Sequence, residues 1–506
     1  MCICVLSNSI FLKKIKSEFG SFSLFRRIYI ISLLFETLSI TETPALWLKS
    51  FVLFLGLFLF FGSFFSTPEK FKIKHVRFVL FFLIVGILTS FINMSADFLT
   101  NLIFVFHNFI CFFVFFGMKE NTQKKYILDE INFVFNFIIL FSLILSIIGL
   151  TTLFFNSGIK FNGYVFGVFK NRFFGICTNP NLSGFLSVIS IFVCDCMLGS
   201  TNEEHHILRG FLKKTSQKHP KHNNFFPFFF SHHFEDLFGQ IVNHINNKLV
   251  LQICIILNIF VLFLSDSNAS FVFINIYIIV KVFYNSFLKY ESIKDTKILR
   301  EVLFLFVCVV MIISGSVLMR VVSQKTVNFA INICKNSSKK TPEEQIILEE
   351  ILDNFDSKTS AGYKIGRENY DISSGRIYLF KQGIELFKIY PLIGIGRANL
   401  VRYGRLYLDG GLIFSDLHNS YLTILVSYGT IGFLFFLIFF ICVMKDMCRK
   451  FLKLRDKHNS AIFYKFFSFL VSYISYSIFE KAILSEMTFM VVFFWMILGY
   501  AVAIEE

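Results

Sequence analysis

Four side chains of this 506-residue sequence are charged or titratable and stand where a helix end or a glycine turn could aim them at a ligand: Arg172, Arg376, Arg397 and His418. Arg376 follows Ser373, Ser374 and Gly375 and precedes an apolar repeat at Ile377, Phe380, Ile384 and Phe387 that stops at Pro391. That spacing predicts a helix with Arg376 in its first turn. A cation there opposes the helix dipole at a cost of some tenths of a kcal/mol, unless a bound anion uses both charges. Arg376 is therefore a phosphate-site candidate, and the plainer account is an exposed residue paired with Asp371 or Glu368. Arg397 follows Gly394 and Gly396, glycines that let backbone approach a ligand closely, although a single G-x-G is common. Arg172, in Asn171-Arg172-Phe173-Phe174-Gly175, is by itself an ordinary flanking charge.

The elements that must position these residues are apolar. Hydrophobic residues make up 55% of the chain, 73 residues are Phe and only 16% are charged, a balance far from that of soluble domains. Apolar runs long enough to cross a bilayer recur at about 28–41, 46–65, 77–95, 98–117, 131–155, 182–199, 249–265, 269–288, 301–319, 419–443, 461–480 and 487–503. The expected fold is an all-α polytopic membrane protein of about twelve transmembrane helices with a large helical extracytoplasmic loop. The first span is short and carries Glu36, a mid-span carboxylate that is costly to insert.

Charge supports this order, because alternate short loops should be basic. Lys13, Lys14, Lys16, Arg26 and Arg27 precede span one, Lys70, Lys72, Lys74 and Arg77 follow span two, and Lys119, Lys124 and Lys125 follow span four. The turns Asn93 to Asp97 and Ser265 to Asn268 carry no basic residue. Both termini are expected in the cytoplasm, with no cleavable leader. The net charge of +15 is spread over these loops rather than along one stripe, which argues against nucleic acid.

The expected organisation is a cytoplasmic N-terminus (1–27), spans one to six (28–199), a cytoplasmic histidine-rich insertion (200–248), spans seven to nine (249–319), the large outer loop (320–418), and spans ten to twelve with a short cytoplasmic tail (419–506). The insertion's histidines match no ligand spacing, so a low-complexity insertion is favoured over a metal site. In the outer loop, Thr341, Pro342 and Glu344 spell a helix start. Cys177 and Cys334 are the outward cysteines, and a disulfide between them is open. His418 is singled out by elimination, since every other histidine falls inside or within a span. Asp416 and Asn419 flank it and could orient its ring, and an interface histidine without chemistry is the bland account.

Taken together, these residues resemble a known family. Arg172-x-x-Gly175 followed by Asn179-Pro180-Asn181 is similar to the first signature of the bacterial O-antigen ligase and polymerase superfamily. Ser374-Gly375-Arg376, Tyr390-Pro391-Leu392-Ile393-Gly394-Ile395-Gly396, His418-Asn419-Ser420-Tyr421-Leu422 and Tyr428-Gly429-Thr430-Ile431-Gly432 resemble its second. Phe494-Trp495 and Gly499 in the last span are also similar. Where many members carry Ser-Arg between spans seven and eight, this chain has Ser265-Asp266-Ser267-Asn268, so that one phosphate contact is either absent or supplied by Arg397 or Arg402.

The resemblance implies a glycosyltransferase of the inner membrane that acts at its outer face, without metal or cofactor. Its partners would be an undecaprenyl-pyrophosphate-linked glycan donor, a glycan or lipid-core acceptor, membrane lipids and other polysaccharide-assembly proteins. Arg172, Arg376 and Arg397 would hold the pyrophosphate, His418 would serve as catalytic base, and Asp416, Asn419, Gly394 and Gly396 would support them. Ligase and polymerase are not separated by these motifs. A flippase or exporter of lipid-linked oligosaccharide is the alternative, for which internal repeats are expected and none is seen. A sensor or scaffold would leave the arginines and His418 replaceable.

Overall fold

Apolar runs cross lipid only when every backbone N–H and C=O is paired within the segment, so long helices follow from the composition. The computed structural model describes residues 22–66, 71–94, 97–155, 159–161, 164–169, 172–199, 247–289, 376–408, 411–412, 416–453 and 460–503, with isolated residues between 309 and 325. The histidine-rich insertion, most of the ninth predicted span, Cys334 and the helix predicted from Thr341 lie outside the described residues.

The helices are α1 (Phe22–Glu36), α2 (Glu42–Ser66), α3 (Val76–Ile92), α4 (Phe98–Ile110, continued by a π-helical turn Cys111–Phe116), α5 (Lys124–Phe155), α6 (Pro180–Gly199), α7 (Lys248–Ser265), α8 (Asn268–Lys289), α9 (Arg376–Ile389), α10 (Leu400–Tyr407), α11 (Ser420–Lys453), α12 (Ser460–Tyr476) and α13 (Phe489–Ala503). Among the described residues six helices are long and apolar enough to cross a membrane, and four shorter apolar helices accompany them. The protein is thus a multi-pass membrane protein built almost entirely of helices. The longest shared faces are α6 with α7, α8 with α12, and α3 with α11.

Three expectations need correction. Helix α1 begins at Phe22 and ends at Glu36, so Glu36 is at a helix terminus rather than mid-span, where Lys49 of α2 pairs with it. Arg26, expected as a flanking loop charge, is inside α1 and fully buried. Its Nε and Nη2 take the two Glu130 oxygens at 2.8 Å each, Nη1 donates to Val114 O at 3.0 Å, and Tyr500 Oη donates to Glu130 at 3.0 Å. The connection between α5 and α6, expected as an outer loop, is not plain loop: it folds as an antiparallel meander β1 (Ile159–Phe161), β2 (Tyr164–Phe169) and β3 (Arg172–Gly175). The sequence held a signal for this, Asn162-Gly163 between two β-rich stretches, the commonest hairpin dipeptide.

Helix α11 shows how the second signature is built. Its 34 residues would run about 50 Å, well beyond a hydrocarbon core of about 30 Å, and the helix breaks at Gly429, whose φ of 66° and ψ of −175° suit glycine alone. The segment after α9 fills the break: Ile395 and Gly396 N–H donate to Val426 O and Ser427 O, and Thr430 and Ile431 N–H donate to Pro391 O and Leu392 O. A Cβ on Gly429 would lie 2.3 Å from Leu392, and one on Gly394 would lie 2.5 Å from Gly429 N and Ser427 O. Polar side chains of α3 and α4 hold the same segment: Thr89 Oγ1 donates to Ile393 O at 2.6 Å, and Asn101 Oδ1 accepts from Ala398 N at 2.8 Å. Gly394 and Gly396 thus permit close approach of the chain to itself, Gly394 to Ser427 and Gly429 and Gly396 to Asn101.

The link between α12 and α13, residues 477–488, is largely buried, with Ile478 exposed. Trp495 Nε1 donates to Ile483 O at 2.7 Å, Ser485 N to Asn108 Oδ1 at 3.1 Å, and Lys49 Nζ to Met487 O at 3.1 Å. Gly499 lets α13 close on the π-helical turn, since a Cβ there would lie 2.2 Å from Phe115 O. The family-like residues Trp495 and Gly499 therefore fix this link.

Candidate functional site

The site is assembled from three chain regions. Arg376 opens α9, His418 precedes α11, and Asn181 stands in the first turn of α6. Asn179 Oδ1 accepts from Asn181 N at 2.8 Å, with Pro180 at the first helical position, so Asn179-Pro180-Asn181 is a capped helix start that orients Asn181.

All three side chains converge on Glu480, in the buried link before α13. Arg376 Nη2 donates to Glu480 Oε1 at 2.8 Å, Asn181 Nδ2 donates to the same oxygen at 3.1 Å, and His418 Nδ1 lies 3.1 Å from Oε2. Asp416 Oδ1 accepts from the His418 backbone N at 2.9 Å and stands 3.4 Å from its Nδ1. His418 itself is in the left-handed region, φ 45°, a conformation that costs free energy for a non-glycine residue and is held here by that Asp416 contact. Asn419 Oδ1 accepts from Leu422 N at 2.9 Å and caps α11.

The charges continue beyond the histidine. Lys481 Nζ lies 2.9 Å from Asp416 Oδ2 and 3.6 Å from Glu486 Oε1, and Arg397 donates to Glu486 through Nε at 2.8 Å and through Nη2. An alternating series results: Arg376, Glu480, His418, Asp416, Lys481, Glu486, Arg397. Asp416, Glu480 and Glu486 are each at most 7% exposed, so their negative charge is compensated by these cations rather than by water.

Electrostatics at His418 follow from this arrangement. Burial, the largest single influence, disfavours the imidazolium, but Asp416 and Glu480 together outweigh it and raise the ring's pKa above the ordinary histidine value. Asp416, though buried, is held well below the usual carboxylate range by Lys481 and His418. The histidine is consequently a stronger base than a solvated one, and it keeps its proton to higher pH.

The sequence-predicted residues divide as follows. Arg376, His418 and Asp416 are brought together. Arg397 is joined to them through Glu486 and Lys481 and by its charge to Asp416, and it is 8% exposed. Arg172 begins β3, paired in register with Phe169, on a strand that packs against α5, α6 and α7; its side chain is not among those described. The surface partners expected for Arg376, Asp371 and Glu368, lie outside the described residues, and Glu480 is its partner. The turn Ser265 to Asn268 is packed onto α6, where a Cβ on Gly184 would lie 2.6 Å from Ser265 Oγ.

Sequence reasoning missed Glu480, Lys481, Glu486 and the role of Asn181. The signal for the first three was three charges within seven residues between two strongly apolar runs, an arrangement that is costly in lipid unless the charges are paired or functional.

A search of curated proteins gives no match to the chain. Residues 253–437 match the family model described as O-antigen ligase, a stretch that contains Arg376, Arg397, Asp416 and His418. The matched stretch is similar to that family and also contains the second signature, from Ser374 to Gly432.

Proposed function

We propose that this protein is a membrane glycosyltransferase that ligates or polymerises an undecaprenyl-pyrophosphate-linked oligosaccharide at the outer face of the bacterial inner membrane. The observation that carries the reading is the convergence of Arg376, Asn181 and His418 on one carboxylate edge, with Arg376 Nε buried and lacking a partner among the described residues. A guanidinium with a donor in reserve beside a basic imidazole suits a reaction in which a phosphate leaves as a hydroxyl arrives.

In that reaction the acceptor's hydroxyl oxygen bonds to the anomeric carbon as the carbon–oxygen bond to the pyrophosphate breaks. The bonding electrons leave with the undecaprenyl pyrophosphate, and Arg376 stabilises the charge that builds there. The hydroxyl proton passes to Nε2 of His418, whose Nδ1 is held by Glu480 and Asp416. Attack opposite the leaving group inverts the anomeric centre. Arg172 lies on the strand that leads into α6 and Asn181, and we assign it the second phosphate contact. The charges these residues supply allow the step to be written without a metal. The apolar helix faces would hold the polyprenyl tail in register with the acceptor.

The test uses purified protein, a polyprenyl-pyrophosphate-linked oligosaccharide and candidate glycan or lipid-core acceptors. A product heavier by the transferred glycan, with release of polyprenyl pyrophosphate, is expected. Movement of donor across proteoliposomes with no new glycosidic bond would instead identify an exporter.

A further inference from the structure

Glu480 is saturated by the groups to which the proposed function assigns the donor. Its Oε1 takes Arg376 Nη2 and Asn181 Nδ2, and its Oε2 faces His418 Nδ1. An incoming phosphate therefore meets a site that already holds an anion. The backbone of this residue is fixed: Ser420 Oγ donates to Glu480 O at 2.8 Å and accepts from Ala482 N at 2.7 Å and Ile483 N at 3.2 Å. Only the side chain is left to yield. His418 does not depend on it alone, because Asp416 Oδ1 stands 3.4 Å from the same nitrogen. What Glu480 controls is Arg376 and Asn181.

A bare arginine at a bilayer surface has an abundant wrong ligand, the singly charged phosphodiester of ordinary phospholipid. A monoanion that displaced Glu480 would exchange one anion for another and gain nothing. A pyrophosphate brings more charge and more oxygens, enough to replace both lost hydrogen bonds and also to engage Arg376 Nε, the buried donor without a partner among the described residues. We propose that Glu480 is a specificity-determining residue: its carboxylate, held by Arg376 and Asn181, competes with phosphate for these groups, screening Arg376 from phospholipid phosphodiesters and yielding to pyrophosphate. The inference rests on the reading of this site as a pyrophosphate site.

The full-length protein in detergent is titrated calorimetrically with inorganic pyrophosphate and with dimethyl phosphate, a phosphodiester of single charge. The wild type should favour pyrophosphate strongly. Glu480→Gln, which keeps shape but not charge, should tighten dimethyl phosphate by about tenfold, the scale of one lost like-charge contact, and pyrophosphate by less, so that the preference shrinks. Arg376→Gln should lose pyrophosphate binding. A Glu480→Gln protein with an unchanged preference overturns the inference, as does one that binds both probes more weakly. Should that variant not fold, the wild type with pyrophosphate decides by cryo-electron microscopy. Phosphate on Arg376 with Glu480 turned away supports the inference, whereas phosphate beside an intact Arg376–Glu480 pair overturns it and leaves the donor reading standing. Absence of pyrophosphate binding to the wild type overturns both.

Discussion

Two arginine–glutamate pairs at opposite ends of the bundle look alike as a list of contacts and differ in what they leave over. Arg26 and Glu130 meet through both carboxylate oxygens, are fully buried, and draw in Val114 O, Asn121, Thr122 and Tyr500 until the guanidinium has a partner at every nitrogen. Arg376 and Glu480 share a single contact, the arginine keeps a donor in hand, and the carboxylate is divided among three partners from three helix ends. Saturation marks a pair that holds helices together. Reserve marks a pair that can exchange partners.

That contrast can be broken by substitution. Arg26→Leu leaves Glu130 buried without its cation, and the thermal stability of the purified protein should fall by about 3–5 kcal/mol; the double variant Arg26→Leu with Glu130→Leu should recover most of the loss. At the Arg376–Glu480 pair the effect should appear in rate instead. His418→Gln should lower transfer by about a hundredfold with the melting temperature little changed, and full activity in that variant would rule out its action as a base. Arg376→Lys keeps charge but not the planar fork, so transfer should fall by about tenfold.

The smallest effect concerns pH. Because Asp416 and Glu480 raise the pKa of His418, the rising limb of transfer against pH should lie above the ordinary histidine value of about 6.5. Asp416→Asn removes one raising influence and should move that limb to lower pH, while an unmoved limb would separate the ring from the rate. The same raised value stabilises the folded protein. That contribution is complete below the unfolded histidine's pKa and is lost as pH rises through the folded one.

The helices were legible because length and apolarity alone specify a bilayer span: the six long apolar helices among the described residues lie on runs read from the chain, whereas α10 (Leu400–Tyr407) was not read. Arg26 was misplaced because a basic residue at the edge of an apolar run reads as a flank, and nothing local reveals Glu130 a hundred positions on. Arg376 and His418 were visible through their motifs. Glu480 was not, since its meaning comes from Ser420, Asn181 and His418, which only folding brings near. The glycines at 394 and 429 show the same limit, as Gly394 is explained by the backbone of Ser427 and Gly429, and Gly429 by that of Leu392 and Ile393.

The buried link 477–488 sets a practical boundary. A protein shortened to the 253–437 stretch would retain His418 but discard Glu480, which faces the ring, and Trp495, which anchors Ile483. Under the proposed function, such a fragment would carry the family-like residues without the carboxylate on which they converge, so the unit needed for transfer would extend at least from the cap at Asn179 to the last helix.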